Sequence, residues 1–211
     1  MIVHALASGE TRTFQTDMVV HSAGRVPEIG DLNLDAAGIE WEKRGVRVND
    51  FLQSVSNSAV YAAGDAAASG GLPLAPVASY EGLVVAANLL KGNHQRPNYL
   101  GIPSVVFTIP PLAAVGLSER GAREQNLKFR VKKEMTSTWY SSRRVAETYS
   151  GYKVLIEEGT DHILGAHILG SQASEVINLF ALAIRSGMRA TDLEHMLFAY
   201  PTSSSNMARM L

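Results

Sequence analysis

The run Val60-Tyr61-Ala62-Ala63-Gly64-Asp65 ends a stretch of small and β-branched residues in a glycine and a carboxylate. At the C-terminal edge of a strand, where ligands of α/β sheets bind, such a carboxylate can accept hydrogen bonds from sugar or ribityl hydroxyls. Gly64 lets a ligand approach the backbone closely. Leu74-Ala75-Pro76-Val77-Ala78 follows, and a helix starting there aims free N–H groups and a partial positive charge at whatever binds nearby. Taken singly, these residues read more simply as a turn aspartate and a first-turn proline. Tyr200-Pro201-Thr202 places a phenol before a proline. A phenol donates a hydrogen bond well but is a poor base near neutrality. Tyr200 is therefore a candidate catalytic donor or a packed aromatic.

Other chemistry is excluded or weakly signalled. The chain has no cysteine, hence no disulfide, thiolate metal site or cysteine nucleophile. Its six histidines show no metal-ligand spacing, and no metal site is expected. Arg143-Arg144 after Trp139-Tyr140 could hold an anion but reads more simply as a solvated face. Lys128, Arg130, Lys132 and Lys133 alternate as the wet side of a strand. With 19 basic and 20 acidic residues the net charge is -1, which supplies no attraction for nucleic acid or an anionic membrane. No apolar run approaches the roughly 20 residues of a membrane span, and no signal-peptide pattern opens the chain. The expected setting is cytoplasmic, without nucleic-acid or membrane partners.

The elements that must position these residues follow from periodicity. Ile2 to Ala7 and Thr11 to Gln15 alternate around Ser8-Gly9-Glu10, a hairpin pattern. Asp17 to Gly24 and Ser58 to Asp65 read as strands, the first mostly buried. Val46, Val48 and Phe51 suggest a short strand. Pro76 to about Leu90 is helical, with Val77, Tyr80, Val84, Ala87 and Leu90 on related faces and Gly92 as its cap. Glycine, proline and asparagine crowd Lys91 to Pro103, a linker composition. Beyond it come strands at Val105 to Ile109, Ala113 to Gly116, Phe129 to Met135, Tyr152 to Glu157 and Ile163 to Ile168. A helix capped by Ser118 runs to about Asn126. A strong amphipathic helix spans Ser174 to Ser186, and Thr191 with Glu194 suggests a capping box. The second half thus reads as an α+β layer of its own. Met196, Leu197, Phe198, Met207, Met210 and Leu211 are expected to remain exposed in a monomer and to be buried in a two-fold homodimer.

Four passages, in order, resemble the pyridine nucleotide-disulfide oxidoreductases, the family of glutathione reductase, dihydrolipoamide dehydrogenase and mercuric reductase. Asp17 to Pro27 is similar to the strand and Gly-Arg-x-Pro exit of the nicotinamide domain. Val60 to Asp65 with Leu74 to Ala78 is similar to the second flavin motif. Pro103 to Thr108 with Ala114 to Glu119 resembles the start of the interface domain. Ile163 to Gly170 with Pro201 to Ser204 extends the likeness to the end.

The resemblance implies an α+β fold: a C-terminal interface domain with an antiparallel sheet and helices, preceded by a partial α/β remnant of the FAD and NAD domains. It implies three regions: 1–27 from the NAD(P)-binding domain, 28–102 as the second lobe of the FAD-binding domain, and 103–211 as the dimerisation domain. Gly64, Asp65, Ala75, Pro76 and Val77 become the flavin-contacting positions, Asp65 toward the ribityl chain and the Ala75–Val77 backbone toward the ring. Tyr200 stands where many relatives carry histidine, which puts glutathione or lipoamide reduction in doubt. The family's Gly-x-Gly-x-x-Gly turns and redox cysteine pair are missing, since the chain has no Gly-x-Gly at any position. The implied function is that of the C-terminal part of an enzyme using FAD and NAD(P)H. The isolated chain is expected to be inactive and to hold no tight flavin, and the alternative is a non-catalytic homodimerisation module.

Overall fold

The computed structural model describes all 211 residues. It begins with a small antiparallel hairpin, β1 (Ile2–His4) and β2 (Thr11–Thr13), as the alternation predicts. A second hairpin joins β3 (Trp41–Glu42) to β4 (Gly45–Val46). The long helix α1 (Ala75–Lys91) follows and ends at Gly92. Five strands then form one antiparallel sheet: β5 (Pro103–Val106), β6 (Leu112–Gly116), β7 (Phe129–Met135), β8 (Gly151–Glu157) and β9 (Ile163–Leu169), in the order β5-β6-β9-β8-β7. Between them lie the short helices α2 (Glu119–Glu124) and α3 (Tyr140–Arg144). After the sheet come α4 (Ala173–Arg185), α5 (Ala190–Glu194) and α6 (Met207–Met210).

The sheet is ordered by its two-residue period. Ala113 and Val115 of β6, Val154 and Ile156 of β8, and Ala166 and Ile168 of β9 face one side. Register brings them together: Ala113 lies opposite Ile168, Val115 opposite Ala166, and Val154 opposite Ala166. Helix α4 covers the β6 and β9 part of this face with Val176, Ile177, Phe180 and Ile184, the stripe expected of a 3.6-residue period, and α6 meets β8. The result is a core of 21 buried residues in which Phe180 is fully enclosed. The opposite face is closed at one end by the segment leading into α2. There Gly165 pairs with Gly116, and the ring of His167 lies 3.2 Å from the Leu117 carbonyl oxygen. A Cβ on Gly165 would strike the Leu117 carbonyl, and one on Gly116 the Leu164 carbonyl. Ser118 caps α2 by accepting from the Gly121 N–H at 3.0 Å.

Four expectations need correction. Asp17 to Gly24 forms no strand and is not buried: Met18 and Val20 are more than three-quarters exposed. Alternation alone cannot hold an extended segment whose N–H and C=O groups find no neighbouring strand. Ser58 to Asp65 likewise forms no continuous strand; an isolated bridge links Tyr61 to Gln53, and Gly64–Ala66 turns as a short 3₁₀ helix. The capping interaction of α5 comes from Asp192, which accepts from the Arg189 N–H at 3.0 Å, and not from Thr191 with Glu194. Thr191 instead donates its backbone N–H to Asp161 at 2.9 Å. Finally, Met207, Met210 and Leu211 are buried in the chain's own core and Phe198 packs against it, which leaves Met196 and Leu197 as the exposed members of that group.

Candidate functional site

Helix α1 buries an unusual stripe. Its inward positions are Val77, Glu81, Val84 and Asn88, while Leu83 and Leu90 face outward. The two polar members act as ties. The Asn88 amide donates to the carbonyls of Phe51 at 3.0 Å and Gln95 at 2.8 Å, and its oxygen accepts from the backbone N–H groups of His94 and Gln95. Glu81, with no exposed surface, accepts from the Gly64 N–H at 2.6 Å, the Ser69 hydroxyl at 2.7 Å and the Tyr99 hydroxyl at 2.6 Å. Burial, and then the bond to Glu81, pushes the Tyr99 phenol well above its ordinary value.

Glu81 thereby fixes the Gly64-Asp65 turn against α1. Gly64 has φ 63°, a left-handed conformation, and a Cβ there would lie 2.7 Å from the Ala78 Cβ. The turn directs Asp65 outward to the rim of a cleft of about 450 Å³, which Gly24, Arg25, Arg44, Gly64 and Pro73 also line. Arg25 ion-pairs with Asp65 at 3.3 Å and donates to the Pro73 carbonyl, so the cation bridges the turn and the approach to α1. Helix α1 opens without a side-chain cap: Leu74 is its N-cap and Pro76 lies in the first turn. Its first N–H groups are therefore free to meet an anionic or electron-rich ligand edge.

The structure thus brings Gly64 and Asp65 into one cleft. Ala75, Pro76 and Val77 sit at the start of α1, just past the cleft's lining, with Val77 turned into the protein. Tyr200 is elsewhere: it is 77% exposed, stacks on Tyr140 at 6.2 Å between ring centroids, and borders a different cleft. Glu81 escapes sequence reading, since a glutamate on a helix is ordinarily solvated. Its only signal is its place on the stripe of Val77 and Val84.

A mixed chain of this kind, antiparallel sheets with helices beside a carboxylate-rimmed cleft, has the fold of the flavoprotein disulfide reductases. It superposes on the HOCl-induced flavoprotein disulfide reductase RclA from Escherichia coli, solved as a Cu(II) complex, with a TM-score of 0.82 over 99% of this chain and 48% of that one, at 24% identity. The family model for the pyridine nucleotide-disulphide oxidoreductase dimerisation domain matches residues 102–211, and that for pyridine nucleotide-disulphide oxidoreductase matches residues 3–82. The chain belongs to the pyridine nucleotide-disulphide oxidoreductase family. It is 36% identical over 196 residues to dihydrolipoyl dehydrogenase of Staphylococcus aureus, covering 93% of this chain and 41% of that enzyme. It is also 51% identical over 180 residues to a 19.7 kDa protein in the mercuric resistance operon of Staphylococcus aureus, covering 85% of this chain and all of that protein. The chain therefore spans about half the length or less of the family's enzymes that it matches here, and the full length of this smaller relative. No helix is long and apolar enough to cross a membrane.

Proposed function

We propose that the chain is the C-terminal portion of an FAD-dependent NAD(P)H:disulfide oxidoreductase, supplying one wall of the flavin site from residues 28–102 and the dimer-forming layer from 103–211. The observation that carries this reading is the Gly64-Asp65 turn held by Glu81 at the rim of a cleft. The donor set fits one side of a flavin. Asp65 accepts from ribityl hydroxyls once Arg25 swings aside, and the uncapped start of α1 from Ala75 to Val77 faces the electron-rich edge of the ring. A bound flavin supplies two-electron transfer between a nicotinamide and a disulfide. Tyr200 serves as a hydrogen-bond donor at the substrate, not as a base.

The test supplies the missing half. Mixed with a separately produced N-terminal half of a family enzyme, carrying the Gly-x-Gly-x-x-Gly turns and the cysteine pair, the chain should restore flavin retention and nicotinamide-dependent disulfide reduction. Asp65→Ala should weaken flavin retention about tenfold, the loss of one charge-assisted hydrogen bond. Flavin retention unchanged by Asp65→Ala would overturn the reading. The chain alone should show no nicotinamide-dependent disulfide reduction.

A second reading, a homodimerisation module without flavin, is favoured by the smaller relative, whose own full length falls within this chain. Both readings place a two-fold interface in residues 103–211, with Leu197 at 98% exposure as an apolar residue to be covered. Sedimentation equilibrium should give twice the 22.7 kDa chain mass, and Leu197→Asp should shift it toward monomer. A wild-type monomer would remove the dimer from both.

A further inference from the structure

The chain's last turn folds back against α3, and Tyr140, Arg144, Tyr200, Thr202, Asn206 and Arg209 line a narrow cleft of about 90 Å³ between them. None of its nine lining residues is acidic. Arg130, Arg123 and Arg189 pair with Asp161, Glu119 and Asp192, and Arg44 and Arg185 donate to backbone carbonyls, whereas the side chains of Arg144 and Arg209 have neither an ion pair nor a hydrogen bond within the protein. Arg209 is held in place all the same: its guanidinium lies over the Trp139 ring at 4.2 Å from the centroid. The nearby carboxylates are engaged elsewhere: Glu134 accepts from the Trp139 indole N–H at 3.1 Å, and Glu147, on the adjoining pocket, from the Ser171 N–H. The remaining polar groups are ordered around the cleft. Thr202 donates to the Ala199 carbonyl at 2.6 Å, and the Asn206 amide to the Ser141 hydroxyl at 2.7 Å. The phenols of Tyr140 and Tyr200, stacked on the rim, have no protein hydrogen-bond partner.

The Arg209 guanidinium held over Trp139, the Arg144 guanidinium beside the same cleft, and two solvent-facing phenols form a donor array whose hydrogen bonds are not taken up within the protein. We infer that this cleft binds a small oxyanion, the carboxylate or phosphate group of a ligand, between Arg144 and Arg209 with the Tyr140 and Tyr200 hydroxyls as further donors. An anionic group held there lies against the Tyr200 ring. All of these donors belong to this chain, and the inference does not rest on flavin binding.

The test is a titration of the full chain followed through the Trp139 indole N–H resonance, with sodium phosphate and sodium acetate in separate arms and sodium chloride at matched ionic strength as control. Saturable shifts are expected with phosphate or acetate and not with chloride, and the arm that saturates at lower concentration identifies the preferred group. Arg209→Gln and Arg144→Gln should each weaken the saturating anion about tenfold. Arg144 is exposed and outside the core, so Arg144→Gln carries the test even where Arg209→Gln disturbs packing on Trp139. Equal shifts with chloride, or wild-type affinity in Arg144→Gln, would overturn the inference.

Discussion

The hairpin β1–β2 and the sheet β5–β9 are both antiparallel, and both are written in alternating residues. Residues 1–26 are exposed throughout, including Ile2, Leu6 and Val20, whereas the sheet of the second half carries a core of 21 buried residues. The difference lies in what covers a face. Helix α4 lays an apolar stripe over β5, β6 and β9 while α6 meets β8, and burying that surface is worth about 25 cal/mol for each Å² removed from water. Nothing lies on β1–β2, so the pair keeps only its ladder hydrogen bonds and exposed polar contacts such as that between the His4 ring and the Thr11 hydroxyl, and each ladder bond contributes about 1 kcal/mol net. Between these extremes sits the α1 region, held as much by buried polar ties as by apolar contact.

The largest effect expected within this comparison is at Phe180. Phe180→Ala should cost about 3–5 kcal/mol, because the fully enclosed ring leaves a cavity, and chemical denaturation should show it as a lowered midpoint. Glu81→Ala should cost about 2–4 kcal/mol, by leaving the Gly64 N–H and two hydroxyls without their acceptor inside the protein. Glu81→Gln keeps a carbonyl oxygen for part of this set and should recover some of the loss. A polar tie that matters less than supposed would show as a Glu81→Ala midpoint near wild type.

Acid should also separate the two regions. The Arg123 and Lys153 side chains hold Glu119 down at about 2, and the Thr191 N–H with the Arg130 guanidinium holds Asp161 below the ordinary carboxylate range. Carboxyls with depressed folded values stabilise the fold above their unfolded value of about 4 and lose that contribution as pH falls toward the folded value. The melting temperature of the second half should therefore decline between about pH 4.5 and 2. Glu119→Gln with Asp161→Asn should flatten that decline while lowering stability near neutrality. The smallest effect is at the other end of the chain: deleting residues 1–23 should change the main unfolding midpoint by less than about 0.5 kcal/mol, since that stretch buries none of its residues. A larger change would mean that the hairpin packs on something in solution.

The same contrast explains what can be read in sequence. Phe129–Met135 matches its strand residue for residue, and the helices after Pro76 and Ser174 agree within a residue or two, because there the local period and the tertiary contact point the same way. Asp17 to Gly24 has a strand's composition but no neighbour to pair with, and sequence does not reveal a missing neighbour. Met207, Met210 and Leu211 look exposed because α6 is only four residues long, too short to display a period, yet it closes the core. Of the candidate site, Gly64 and Asp65 are legible as a motif. Glu81 is not, because its burial is settled by the Gly64 N–H, Ser69 and Tyr99, donors that lie 12 to 18 positions away in the chain.

Gly116 and Gly165 face each other where β6 and β9 cross the Leu117 segment. The atoms that would meet a side chain at either position are carbonyl oxygens, those of Leu164 and Leu117. Every amino acid brings the same oxygen, so shrinking the neighbour cannot make room. Drift at these two codons is closed to compensation by a second substitution, unlike drift at Phe180, where surrounding side chains can exchange volume. Among lineages carrying this sheet, Gly116 and Gly165 should change only together with the path of the backbone itself.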